Sequence, residues 1–521
     1  MTALTQQQRQ MTLAALLREV MPDQPPGGRL DGIVVRGLSQ DSRCVRPGDV
    51  FLALRGGRHD AREYIDGAIA SGAVAVLADA GLADSGKGAN SELRWMAAVP
   101  VISVGQLRRR VGELASRFFG SPSSRLPVIG VTGTNGKTSL TQYVAQILEG
   151  LGRRCGVIGT LGSGMFPALR DTGYTTPDAV AVHGGLADLA DTGADCVAME
   201  VSSQGLDQYR VTGVTFYSAV FTNLTRDHLD YHGSMTAYAS AKQKLFETAQ
   251  LHAAVINADD PYAAAMISAL PDGARSITYS VEGAADVYVS ELQLHAGGFS
   301  ATVHSPWGVA SVESSLLGIF NLSNVLAALA AVMTLPQAQD FHHVASQVQR
   351  LRPVAGRMQR VSGGDDLTVV IDYAHTPDGL VSALRAMRDH TQGRLWCVFG
   401  CGGERDRGKR PLMAQAAQQW ADFVVVTDDN PRFEDADQIV SEILQGFSEP
   451  SGERVIVERH RSEAIARTIL MAEPGDSILI AGKGHETYQD VAGKRLPFSD
   501  AEQAAAALAH REAQCAQGGE S

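Results

Sequence analysis

The sequence predicts an α/β protein of three domains, and three observations carry that expectation. A chain of 521 residues is too long for a single hydrophobic core. Apolar runs of strand length alternate with helical stretches from Leu126 to about Leu351, as in a mostly parallel sheet, and a second such pattern begins at Pro353. Within the first pattern, an apolar strand leads through a glycine-rich loop into a helix. The expected division is 1–124, a small α/β domain; 125–351, a central parallel-sheet domain of P-loop type; and 352–521, a Rossmann-like C-terminal domain.

Taken in order, the leading segment predicts an amphipathic helix from Thr5 to Val20, a turn region from Pro22 to Gly28, and short strands at Ile33 to Leu38, Val50 to Leu54 and Ala73 to Leu77. Ser121-Pro122-Ser123-Ser124 reads as a linker. Central strands are expected at Leu126 to Val131, Cys196 to Val201, Ser218 to Phe221 and Ala253 to Ile256. The C-terminal segment places them near Thr368 to Ile371, Leu395 to Phe399, Phe423 to Val426 and Ser477 to Ile480. Ligands of parallel sheets gather beyond the carboxyl ends of the strands. Polar clusters fall there, Glu200-Val201-Ser202-Ser203 after one strand and Thr222 to His228 after the next. The tail after about Leu508 is polar and reads as frayed.

Composition narrows the function. A formal charge of −12 argues against nucleic acid as a partner, so anionic ligands must be met by local Arg, Lys, Mg²⁺ or helix N-termini. No apolar run reaches the ~18 residues of a membrane helix. Val325 to Leu335 is short, alanine-rich and stopped by Pro336. Met1 to Met11 lacks the basic start and apolar centre of a signal peptide, so a cytoplasmic enzyme without membrane insertion is expected. Six scattered cysteines without a Cys-x-x-Cys read as free, mostly buried thiols.

The loop Gly130 to Thr138 carries the clearest chemistry. Its glycines free backbone N–H groups for phosphate oxygens, the following helix adds positive potential, Lys137 neutralises the outer phosphates, and the Thr138 hydroxyl suits Mg²⁺. Gly133, Thr134, Asn135, Gly136, Lys137 and Thr138 therefore read as a nucleoside triphosphate site. Val131 stands where the common pattern has glycine.

Other candidates are weaker singly. Glu200 and His228 at strand ends could complete a cation site with Thr138, although alone they read as an ion-pair partner and a structural histidine. Asn321 and Asn324 open an alanine-rich helix, where an amide suits an adenine edge or an N-cap. Arg357 falls at a domain junction from which it would reach phosphates on closure, Asp372 could accept from ribose hydroxyls, and His375 could pack near the base.

In spelling, Thr132-Gly133-Thr134-Asn135-Gly136-Lys137-Thr138 resembles the ATP loop of the Mur ligases and the folylpolyglutamate synthetases. Asn223 to Gly233, with Tyr238 and Ala241-Lys242-Gln243-Lys244-Leu245-Phe246, resembles a Mur ligase signature almost letter for letter. Gly318 to Asn324, Pro353 to Met358 and Ile371 to Pro377 follow in that family's order. The resemblance implies ATP and Mg²⁺ as cofactors, catalytic roles for Lys137, His228 and Lys242, and carbamylation of Lys242. The bland alternative for Lys242 is a solvated lysine beside Lys244.

Within the family, Thr175-Thr176-Pro177 and Glu200 to Arg210 are similar to the site for a UDP-MurNAc dipeptide in the member that adds the third peptide residue. This implies that Thr175, Thr176, Ser202, Gln208 and Arg210 bind UDP-MurNAc-L-Ala-D-Glu and that Ser42, in the leading uridine domain, contacts its uridine end. Gln204 replaces the usual His, and Ala61, after His59-Asp60, the usual Gly. Asp428-Asp429-Asn430-Pro431-Arg432 resembles the motif for meso-diaminopimelate rather than lysine, its planar guanidinium suited to a carboxylate. By the same match Arg405, Asp429, Asn430, Pro431, Arg432, Gly482 and Glu486 line the amino-acid pocket.

The implied reaction transfers the ATP γ-phosphoryl to the D-glutamate side-chain carboxylate, and the diaminopimelate amine attacks the acyl phosphate. The enzyme is expected to act as a monomer that closes around ATP. Alternatives are a lysine-adding or folylpolyglutamate-type ligase, or a nucleotide-gated scaffold without chemistry.

Overall fold

The computed structural model describes residues 9–18, 28–56, 60–80, 93–295, 297–336, 340–361, 366–449 and 453–518. The expected turn over 22–27, the ends of the expected leading helix and His59 lie outside them.

Three sheets organise these residues. The first is five-stranded, ordered Gly37–Ser39, Asp49–Ala53, Ala75–Ala80, Val99–Gly105 and Leu93–Met96, antiparallel only at the last pairing. The leading helix is much shorter than its amphipathic pattern suggested. Met11–Thr12 pairs as a strand with Val34–Val35, and the helix runs Leu13–Leu17 behind a Thr12 cap. Its apolar face is nonetheless the expected one, with Leu13, Ala14, Leu16 and Leu17 buried. Ala61 carries no positive φ and opens a 3₁₀ turn, so that position has no need of glycine. The expected linker is a helical turn, Pro122–Arg125.

The central sheet is ten-stranded: Gly162–Met165, Cys155–Gly159, Cys196–Glu200, Val128–Thr132, Ser218–Phe221, Ala253–Asn257, Arg275–Ser280, Val287–His295, Gly298–Ser305 and Gly308–Ser314. The expected strands lie side by side and parallel. Their near-continuous Val, Ile, Ala and Met are buried on both faces because helices cover both. Lys137–Gly150 and Ile319–Thr334 pack on one face, Ala179–Asp191 and Met235–Gln243 on the other. The last three strands form an antiparallel meander, and along Gly308–Ser314 burial alternates although residue polarity does not.

A six-stranded sheet holds the C-terminal part, ordered Gln359–Arg360, Thr368–Asp372, Ser477–Ala481, Leu395–Phe399, Phe423–Val426 and Val455–Val457. The tail is not frayed at Leu508: the helix runs Asp500–Gly518. Alanine-rich sequence favours it. The fully buried Arg461 grips Asp500 with bonds of 2.7 and 2.8 Å, and Arg511 donates to the Ile469 and Ala472 carbonyls.

The parts meet in two different ways. The leading helix Leu107–Phe118 lies against the central part so closely that a Cβ on Gly112 would stand 2.0 Å from the Thr212 carbonyl. The C-terminal part meets the central one through side chains: His390 accepts from Gly318 N at 3.1 Å and donates to the His295 carbonyl at 2.6 Å, and Arg352 N donates to Gln146. A cavity of about 1490 Å³ opens between them, lined among others by Gln142, Thr160, Asp171 and His485. Among the described residues no helix is long and apolar enough to cross a membrane. Cys155, Cys196, Cys397 and Cys401 are buried free thiols and Cys44 an exposed one.

His183 supplies a test of the first junction. Its Nε2–H donates to the Thr212 carbonyl at 2.9 Å, and burial lowers its pKa to about 4. Between about 6.5 and 4 the unfolded chain binds the extra proton, so this contribution to stability is lost as pH falls through that window. His183→Gln, measured by urea unfolding, is expected to lose about 2 kcal/mol less than the wild type between pH 7 and pH 5.

Candidate active site

The phosphate loop closes the strand Val128–Thr132. Val131 is still strand, fully buried, so the missing glycine costs nothing; the left-handed positions are Gly133, φ +152°, and Gly136, φ +86°. The next strand end holds the loop: Thr134 N donates to the Asn223 carbonyl, Asn135 N to Asn223 Oδ1, and Thr222 Oγ1 to the Asn135 carbonyl.

Two ammonium groups converge on this loop. Lys137 Nζ donates to the Gly133 and Thr134 carbonyls at 2.8 and 2.9 Å, and Lys242 Nζ reaches the same Gly133 oxygen at 2.8 Å. Lys242 is buried and sits over the Tyr238 ring, at 4.5 Å from its centroid. It is therefore no solvated surface lysine. Burial and, secondly, Lys137 push its pKa well below that of an ordinary lysine, while burial lowers that of Lys137 against the opposing pull of Glu200 and Asp227.

Glu200 lies beside them, 1% exposed. It accepts from Thr138 Oγ1 at 2.9 Å, from Thr160 N at 2.8 Å and from Thr160 Oγ1 at 3.1 Å. Thr138 and Glu200 are thus joined directly. His228 is more open, its side chain 46% exposed with Nε2 at 3.5 Å from Asp227, and burial of its ring lowers its pKa. Hard oxygen donors suit Mg²⁺. Among the described residues, however, His, Cys, Asp and Glu form no preassembled cluster of three.

From Glu200 a hydrogen-bonded chain runs toward the first sheet. Thr176 Oγ1 donates to the Glu200 carbonyl and accepts from Ser202 N; Thr175 and Thr160 share a hydroxyl bond of 2.9 Å; Arg210 donates to the Thr176 carbonyl and to Gln208 Oε1. The structure thus groups Thr175, Thr176, Ser202, Gln208 and Arg210. Gln208, Arg210, Gln40, Arg108, Tyr174 and Asp178 line a cavity of about 190 Å³. Ser42 stands two residues from Gln40, in the 3₁₀ turn Ser42–Cys44.

Asn321 is engaged internally: Tyr143 OH donates to its Oδ1 and its Nδ2 to the Leu317 carbonyl. Asn324 instead faces the loop, its Oδ1 2.6 Å from where a Cβ on Gly136 would stand. Asp372 fixes the first turn of the C-terminal part, accepting from Met358 N and Ala374 N at 2.8 Å each, and burial raises its pKa. The Arg357 guanidinium lies over the Tyr373 ring at 4.4 Å. His375 Nδ1 donates to the Tyr373 carbonyl, and Lys409 donates to the His375 carbonyl.

The remaining candidates meet at the head of the C-terminal sheet. Asn430 Nδ2 donates to Glu486 Oε2 at 2.8 Å, and Arg432, φ +53°, donates through Nη1 to the Gly403 carbonyl at 2.6 Å. Gly482, φ +115°, leaves room for Asp429, whose Oδ2 a Cβ would meet at 2.9 Å. Pro431 is buried and Arg405 exposed.

Comparison with known proteins decides the family. Residues 34–119 match "Mur ligase family, catalytic domain", 131–332 "Mur ligase middle domain", and 356–484 "Mur ligase, glutamate ligase domain". Over 483 residues the chain is 50% identical to the UDP-N-acetylmuramoyl-L-alanyl-D-glutamate--2,6-diaminopimelate ligase of Ectopseudomonas mendocina, covering 92% of this chain and 96% of that one. The chain belongs to the Mur ligase family. The Pseudomonas aeruginosa ligase of the same name is 50% identical over 478 residues, with the same two coverages. A solved structure of a ligase of that name superposes on this Mur ligase with TM-score 0.69 at 38% identity, covering 96% of this chain and 100% of that one. The MurF ligase of Thermotoga maritima shares the fold, TM-score 0.62 at 18% identity.

Sequence reading of this Mur ligase missed Thr160, Gln40, Arg108, Tyr174, Asp178 and Lys483. Thr160 lies in an ordinary-looking Gly159-Thr160 turn, and only register brings it to Glu200. Lys483 stood inside Gly482-Lys483-Gly484-His485-Glu486, where a cation between two glycines was signal enough.

Gly133 gives the sharpest test of the loop. A Cβ there would stand 1.8 Å from Thr222 Oγ1 at a φ that L-residues avoid. Gly133→Ala is expected to weaken ATP binding at least about tenfold by calorimetry, with an unchanged circular dichroism spectrum.

Proposed function

We propose that this Mur ligase adds meso-diaminopimelate to the D-glutamate side-chain carboxylate of UDP-MurNAc-L-Ala-D-Glu, with ATP cleaved to ADP and phosphate. The names of its half-identical relatives support the substrates. The observation that carries the chemistry is the Gly133 to Thr138 loop with Lys137 folded over its carbonyls at a helix N-terminus, a cradle suited to a polyphosphate.

In this reading Gly133, Thr134, Asn135, Gly136, Lys137 and Thr138 hold the phosphates, Asn324 and Asn321 shape the adenine site, and Arg357, Asp372 and His375 approach the nucleotide from the C-terminal part. Lys137 stabilises charge on the γ-phosphoryl as it passes to the D-glutamate carboxylate. Thr138, Glu200 and His228 would hold Mg²⁺, which would neutralise phosphate charge there. Burial and the neighbouring Lys137 disfavour the charged form of Lys242, and as the amine it would add CO₂ through its nitrogen lone pair with loss of one proton, the carbamate placing an anion beside the phosphates. Ser42, Thr175, Thr176, Ser202, Gln208 and Arg210 bind the nucleotide-sugar dipeptide along the cleft. Arg405, Asp429, Asn430, Pro431, Arg432, Gly482 and Glu486 receive diaminopimelate, Arg432 taking its distal carboxylate and Glu486 an ammonium. Its amine then attacks the acyl phosphate and phosphate leaves.

In this reading the working unit is a cytoplasmic monomer. Its parts divide at 124/125 and 351/352, and closure across the large cavity excludes water from the acyl phosphate.

Phosphate release from ATP with UDP-MurNAc-L-Ala-D-Glu is expected with meso-diaminopimelate and not with L-lysine. Arg432→Ala should raise the KM for diaminopimelate about 10- to 100-fold. Release with lysine alone would select a lysine-adding ligase; release with neither would favour a scaffold.

A further inference from the structure

We propose that Lys483 is a specificity-determining positioning residue: as a buried internal ammonium between Asp429 and Glu486, it bars amino acids that offer an ammonium without an adjacent carboxylate. The inference rests on the reading of Asp429 to Arg432 and Glu486 as the diaminopimelate pocket.

The Lys483 side chain has no exposed surface. Its Nζ donates to Asn430 Oδ1 at 2.9 Å and Glu486 Oε2 at 3.0 Å and lies 3.7 Å from Asp429 Oδ1. A buried ammonium persists only where such acceptors offset its lost hydration. The backbone delivers it there through two glycines in left-handed conformations, Gly482 at φ +115° and Gly484 at φ +53°. Asn430 transmits its effect. Asn430 Oδ1 accepts from Lys483 and from Asp490 N, at 2.9 Å each, which fixes the amide with Nδ2 toward Glu486 Oε2. That carboxylate oxygen is therefore doubly engaged, and Oε1 is left to face a ligand.

Charge follows from the same contacts. Asp429 and Glu486 bring two negative charges, of which Lys483 answers one; Arg461 nearby is spent on Asp500, and the half-buried Arg432 beside Gly403 with the exposed Arg405 offers cations to a carboxylate. An amino-acid head group, ammonium and carboxylate on one carbon, matches such a site. A lone alkylammonium sets a second cation against Lys483 and leaves Arg432 unanswered. At an effective dielectric near 20, like charges about 6 Å apart account for roughly 10- to 100-fold in affinity.

The test compares the KM for meso-diaminopimelate with the inhibition constant of L-lysine against it, in the full-length wild type, Lys483→Met, Lys483→Arg and Asp429→Asn. The preference for diaminopimelate is expected to narrow about tenfold or more in Lys483→Met, to return largely in Lys483→Arg, and to widen in Asp429→Asn; in the two Lys483 variants the change is expected in lysine binding rather than in kcat. Equal weakening of both ligands in Lys483→Met, or a preference that moves the same way in the Met and Asn variants, would overturn the proposal. Should Lys483→Met fail to fold, an unchanged preference in Asp429→Asn overturns it equally. A wild type without diaminopimelate preference strikes the proposed function instead, before Lys483 is at issue.

Discussion

Two lysine ammonium groups aimed at one carbonyl oxygen set the terms for this molecule. Gly133 presents that oxygen only because its backbone takes a conformation open to glycine, and Thr222 fills the space a side chain would need. Among the described residues neither Nζ has a carboxylate in hydrogen-bonding contact; Glu200 spends its bonds on Thr138 and Thr160. A lysine-lined glycine loop at the head of a parallel sheet, with a helix N-terminus behind it, is a standing demand for anions. A protein of net charge −12 meets that demand locally rather than through its overall field.

The surrounding sheets are placed to serve this point. Val128–Thr132 lies between Cys196–Glu200 and Ser218–Phe221, so three parallel strands deliver the loop, Glu200 and the Thr222–Asn223 clasp to one edge. The chain of bonds through Thr176 and Arg210 carries the site toward the first sheet, and Asp372 fixes the start of the last part by holding Met358. Buried charge recurs twice at the carboxyl end of the strand Ser477–Ala481, with different results. Arg461 and Asp500 neutralise each other and fasten a helix, whereas Lys483 is shared among acceptors that border a pocket.

Much of this was legible in the sequence because parallel strands buried on both faces read as unbroken apolar runs, and glycines mark loops that need left-handed backbone. Val128–Thr132, Cys196–Glu200 and Leu395–Phe399 lie within a residue or two of where periodicity put them. The antiparallel meander from Val287 to Ser314 escaped because its polar alternation is weak and broken by a register shift between Ser290 and Gln293. The leading helix was overextended because a pairing partner 24 residues on, Val35 for Met11, outcompeted local propensity. At the site, residues with a local spelling were found, and those made adjacent by register alone, such as Thr160, were not. Asn321 is a contrast: the motif suggested an amide for an adenine edge, and Tyr143 and Leu317 hold both ends of that amide here.

The two junctions of the chain also differ as mechanical joints. Gly112 sits flush on the Thr212 backbone, with Gln40 hydrogen-bonded to Asp178 across the same seam, leaving no free travel between the first and second parts. The C-terminal part meets the central one through Leu317 and Phe320 packed into its core, the bonds of His390, and Arg352 N on Gln146, beside a large open volume. The two seams therefore differ in what a substitution can do to them: at Gly112 any side chain collides with backbone, whereas the second seam is held by side chains and can be loosened one residue at a time.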